Sequence, residues 1–156
     1  MRHSMASVVS RMLVFVILFA ALVAVEGQNP SPALAASCPG PGCEGLDPQA
    51  SGCSSAGASS PRSYPLIRQS DGVQVGVGEL RYSYVCGTNW MRVTSWVGVV
   101  PMFASIGHGM NYNNTFSMHG SYQVGWTLMV YAPTPHTACG YGGISTPWTG
   151  YQEVCA

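Results

Sequence analysis

The stretch "GELRYSYVCGTNWMRVTSW", residues 78–96, gathers Glu79, Arg81, Arg92, Trp90 and Trp96 around Cys86. One carboxylate, two guanidiniums and two indoles at this spacing offer two chemistries. Glu79 can pair with Arg92 or Arg81 under the ring of Trp90, a shielded ion pair that adds fold specificity more than net energy. Alternatively, Arg81, Trp90, Arg92 and Trp96 can make a shallow aromatic and guanidinium face for sugars, peptides or carboxylates. The ion pair of Glu79, Arg81 and Arg92 is the expected arrangement, because mixed polar faces are ordinary on sheets wet on one side.

Other reactive groups are sparse. His108, His119 and His136 follow the N-terminal apolar run. Ser117 or Ser121 beside His119 would supply a nucleophile and base only if the fold assembled them, since catalytic partners usually come from separate strands or loops. The settings "IGHGMNYNN" and "TPHTACG" point instead to loop histidines. The sequence has no Gly-x-Ser-x-Gly elbow, His-Glu-x-x-His, phosphate loop or acidic calcium loop. No catalytic residue, metal or cofactor is therefore assigned. Asp47-Pro48 reads as a turn: aspartate before proline is held extended, and its carboxylate can accept nearby backbone N–H groups.

The elements that must position these residues are strands. Runs such as "VQVGVGELRYSYV", "NWMRVTSWVGVV" and "YQVGWTLMVYA" are rich in Val, Tyr, Trp and Thr, and no window shows the helical period free of glycine. Alternation places Glu79, Arg81 and Ser83 opposite Leu80 and Tyr82, and Trp90, Arg92, Thr94 and Trp96 opposite Met91 and Val93. The intervening "VCGTN" suits a hairpin turn. Residues 37–65, dominated by Gly, Pro, Ser and Ala, read as loop held by cysteines, and residues 133–156 return to turn chemistry.

All six cysteines follow the apolar run, and an even count in an exported chain reads as three disulfides. Closable Gly- and Pro-rich loops favour Cys38 with Cys43, Cys53 with Cys86, and Cys139 with Cys155. The Cys-x4-Cys-x9-Cys spacing lacks the paired knuckles of zinc ribbons. Residues 1–36, with Arg2 and Arg11 before "MLVFVILFAALVAV" and then Ala33-Leu34-Ala35, read as a secretory signal peptide whose apolar run is short for a span. The remainder carries four arginines, no lysine and five carboxylates, a net charge of −1. That balance disfavours nucleic acid and anionic membrane surfaces as partners, which select clustered cations.

"CPGPGCEGLDPQASGC" followed by "GELRYSYVCGTNWMRV" resembles a family of secreted or surface-exposed actinobacterial domains of unknown function. The likeness rests on Cys38, Cys43, Asp47, Pro48 and Cys53, then Glu79, Leu80, Arg81, Tyr82, Ser83, Cys86, Trp90 and Arg92 in order. It covers residues 38–93, with "WTLMVYAP" similar to the second half. Tyr84-Val85 departs from it where a turn former is expected. The resemblance implies an extracellular location and supplies no catalytic residue.

The sequence thus predicts one all-β domain, a small antiparallel sandwich or barrel, with a disulfide-tied N-terminal loop (37–65) and a β core with a disulfide-tied tail (66–156). The expected role is a non-catalytic extracellular binding or surface-interaction module for a cell-envelope or other extracellular ligand. A small secreted hydrolase of cell-wall or extracellular polymer is the alternative.

Overall fold

The computed structural model describes residues 36–109 and 113–156, and among these the Val-, Tyr- and Trp-rich runs, together with segments on either side of them, form nine strands. One sheet has the order β1 (Ala58–Ile67), β2 (Gln74–Ser83), β3 (Thr88–Ser95), with β6 (Val124–Trp126) and β7 (Val130–Tyr131) sharing the far side of β3. The other has the order β5 (Asn113–Tyr122), β4 (Val100–His108), β8 (Ala138–Ile144), β9 (Val154–Cys155), and every pairing is antiparallel. The sandwich form of the expectation is the one observed. The expected leader lies outside the described residues but for Ala36. Among the described residues no helix is long and apolar enough to cross a membrane.

Alternation sends Leu80, Met91 and Val93 from the first sheet, and Met102, Ala104, Ile106 and Ile144 from the second, into a shared core. Truncating a filled position such as Leu80 to alanine in a close-packed core costs about 2–5 kcal/mol. Glycines set how closely the sheets approach. A Cβ on Gly140 would fall 2.4 Å from the Met91 side chain, and one on Gly142 would fall 2.7 Å from Val93. The glycine-rich β8 therefore admits the large side chains of β3.

That fit corrects the reading of residues 133–156 as turn throughout. "ACGYGGI" is an inner strand of the second sheet, between β4 and β9, because its glycines answer bulky residues on the opposite sheet, which periodicity along one strand does not reveal. The predicted loop also ends early: β1 begins at Ala58, so 58–65 is strand. Among the described residues it pairs with β2 alone, and such an edge strand tolerates Pro61 and Pro65 where an inner one would lose ladder bonds.

The N-terminal segment covers the outer face of the first sheet. Around a short 3-10 helix (Gly40–Cys43), Cys38, Cys43, Cys53 and Cys86 close with Trp90 and Met129 into a second apolar cluster. All three disulfides are those expected, Cys38–Cys43, Cys53–Cys86 and Cys139–Cys155. The middle one fastens this cover to the β2–β3 turn.

Candidate functional site

Glu79 stands directly opposite Arg92, and Arg81 opposite Trp90, across β2 and β3. Arg92 donates a fork to Glu79, Nε to Oε2 at 2.8 Å and Nη2 to Oε1 at 2.9 Å. Arg81 Nη1 lies 3.6 Å from Oε1 of the same carboxylate, and the Ser60 hydroxyl donates to Oε1 at 2.8 Å. The Arg81 guanidinium sits 6.0 Å from the centre of the Trp90 ring. Burial, and then the charge of Arg92, draw the Arg81 pKa below its ordinary value against the pull of Glu79.

This is the ion pair the sequence predicts, and it leaves no open platform. Trp90 is 2% exposed because the disulfide-tied segment lies over it. The Glu79 side chain is 12% exposed. Trp96 is exposed, but it follows the end of β3 instead of sharing a face with the arginines. Arg81, Trp90, Arg92 and Trp96 therefore do not form a common contact surface. The correction has a plain cause: the cover belongs to a segment that sequence periodicity could not dock.

Asp47 is structural as expected. Its Oδ1 accepts from the N–H groups of Gln49 (2.7 Å) and Ala50 (2.9 Å), and its Oδ2 accepts from the Trp126 indole (2.9 Å). Burial raises its pKa, but the bonds from Ala50, Trp126 and Gln49 outweigh that and hold it below the usual value. His108 meets Glu44 at 3.1 Å, and the Ser117 hydroxyl bonds that of Ser105 at 3.1 Å. His136 borders a hollow with Tyr82 and Tyr84. His119 faces an aromatic ring across the strand pair, as follows.

The outer face of the second sheet carries the aromatic surface. Phe103 of β4 lies opposite His119 of β5, with ring centres 6.4 Å apart and planes within 19°. Across β4 and β8, Phe103 lies opposite Gly143. A Cβ on Gly143 would fall 2.3 Å from the carbonyl oxygen of Gly150, so the returning chain passes directly over this glycine. That passage brings Trp148 within 6.0 Å and 15° of Phe103, and Tyr151 edge-on at 6.1 Å. Tyr141 of β8 completes the group, 6.5 Å from Phe103 and 5.1 Å from Tyr151.

Phe103 is thus the hub of five rings. Trp148 remains 49% exposed and Tyr151 61% exposed. Their loop is nonetheless fixed: Gln69 N–H donates to the Trp148 carbonyl (2.9 Å), Ile144 N–H donates to Thr149 Oγ1 (3.0 Å), and Gln69 Nε2 donates to the Thr149 carbonyl (3.1 Å). Exposed aromatics on a tied backbone lose little further freedom on contact, which favours binding. Sequence reasoning missed this face because Trp148 and Tyr151 sit in a turn-rich tail. The available signal was two exposed-type aromatics in "TPWTGYQ", close to the last disulfide.

Compared with protein-family models, curated proteins and solved structures, the chain matches none. The aromatic face therefore has to be interpreted from its own chemistry. Half-buried Phe103 and Tyr141 support rings that project further, and the exposed Ser117, its hydroxyl bonded to that of the buried Ser105, lies two residues from His119 on β5. Such a surface offers polarizable ring faces and edges with N–H and O–H tips, suited to ligands apolar in one direction and hydrogen-bonding in another.

Proposed function

We propose that this chain is an exported, non-catalytic binding module that contacts an extracellular or cell-envelope ligand through Phe103, His119, Tyr141, Trp148 and Tyr151. The observation that carries the reading is the exposure of Trp148 and Tyr151 on a backbone pinned at residues 148 and 149. A ring group serving only to fasten the tail would be drawn further into contact, whereas aromatic anchors of binding surfaces stay accessible and are held in place. Export is supported by the three disulfides, which persist in oxidising compartments, and by the leader-like N-terminal sequence.

The test is retention. Wild type and the Trp148→Ala/Tyr151→Ala double variant, each shown folded by circular dichroism, are passed over cell-envelope and polysaccharide fractions. Retention of the wild type and loss of the variant supports the reading. Equal retention removes this face as the site, and release of soluble fragments by the wild type favours the hydrolase.

A further inference from the structure

Beside the aromatic group lies a hollow of about 280 Å³ that shares Tyr151 with it. Pro65 and Ile67 of β1 give it an apolar wall, and Gln69 and Gln152 line it as well. Gln69 is fixed there by its bond to the Thr149 carbonyl, while Gln152 stands exposed. Neither the ring group nor the residues lining the hollow include a lysine or arginine, so the combined surface has no permanent positive charge to select an anionic ligand.

Resting on the binding-module reading, we infer that this face takes a neutral polysaccharide containing N-acetylated sugars, with an acetamido group seated in the hollow. Each half of the surface matches one part of that ligand. A pyranose ring presents axial C–H groups on its faces and hydroxyls around its rim, so it meets aromatic rings on one side and the indole, phenol, imidazole and serine tips on the other. An acetamido group presents a methyl to the Pro65 and Ile67 wall and an amide to Gln69 and Gln152. The near-parallel succession of Trp148, Phe103 and His119 suits consecutive units of an extended chain.

Two other occupants fit less well. A quaternary ammonium ion needs a box of rings around an empty centre, and here the centre is filled by Phe103, which touches all four other rings. A polyproline segment docks on aromatic-lined grooves but carries no methyl-amide pendant to match the amide-lined hollow.

The experiment is titration of the intact domain, followed by tryptophan fluorescence and calorimetry, with four probes. These are a soluble N-acetylglucosamine oligosaccharide, its de-N-acetylated counterpart, a cello-oligosaccharide of equal length and a polyproline peptide. The expected result is binding of the N-acetylated probe about tenfold tighter than either its de-N-acetylated counterpart or the cello-oligosaccharide, the scale of a lost hydrogen-bonded amide contact. Gln152→Ala should abolish that preference, and Trp148→Ala should weaken binding of all three sugars. Equal affinity for the N-acetylated probe and the cello-oligosaccharide, or a preference that survives Gln152→Ala, overturns the assignment of the hollow and leaves the binding module standing. Tighter binding of the polyproline peptide overturns the sugar assignment. Binding of no probe also overturns it, and the envelope-retention assay then decides whether the module reading fails with it.

Discussion

The Tyr64 hydroxyl bridges the two sheets at Gly142, donating to its carbonyl at 2.8 Å and accepting from its N–H at 2.7 Å. β9 pairs only with Cys139 and Gly140, so Tyr64 occupies the side of β8 that the short strand leaves unpaired. Space for the ring comes from Gly78, where a Cβ would lie 2.4 Å from it. Burial raises the Tyr64 pKa well above its ordinary value, against the opposing bond from Gly142. Tyr64→Phe keeps the packing and strands both backbone groups, so it should destabilise the fold by about 1–3 kcal/mol. Urea unfolding with an unchanged slope would measure this, and an unshifted midpoint would show that water replaces the hydroxyl.

Glu79 neutralises two arginines in a shielded setting. Glu79→Gln should lower stability by about 1–3 kcal/mol, because it leaves Arg81 and Arg92 short of a counter-charge. Retention on the ligand fraction should be unchanged, since this face lies on the other sheet. A thermal melt equal to wild type would mean that solvent already screens the cluster.

The Cys53–Cys86 bond fastens the N-terminal cover over Trp90. Cys53→Ser/Cys86→Ser should cost roughly 2–4 kcal/mol and open residues 38–57 to protease before any strand is cut. First cleavage elsewhere would show that Cys38–Cys43 and the Asp47 turn hold the cover without it.

Asp47 gives the domain an acid-sensitive contribution. Its folded-state pKa lies below the ordinary value, so the stabilisation is present above the unfolded-state pKa and is lost as pH falls through the folded-state pKa. Melting temperatures of wild type and Asp47→Asn should differ at neutral pH and converge in acid. A constant gap at all pH values would assign the effect to packing of the side chain and not to its charge.

Much of the fold was legible because its signals are local. The pairing of Glu79 with Arg92 followed from alternation on either side of one turn, and the disulfides followed from closable loops. What was hidden depends on contacts between distant segments. The strand character of β8 rests on glycines that accommodate Met91 and Val93, and the burial of Trp90 rests on a cover docked from 37 residues or more upstream in the case of Cys53. The aromatic face needs the β4–β5 and β4–β8 registers together with the chain returning over Gly143. None of these is encoded in the period of a single run.

Backbone amide chemical shifts of labelled protein, followed as an N-acetylated oligosaccharide is added, read directly which face makes contact. Perturbations are expected at residues 103, 119, 141 and 148–152, with Arg81, Arg92 and Trp96 unmoved. Perturbations centred on the β2–β3 hairpin or on Trp96, with the signals of Phe103 and Trp148 unchanged, would contradict this assignment of the contact face.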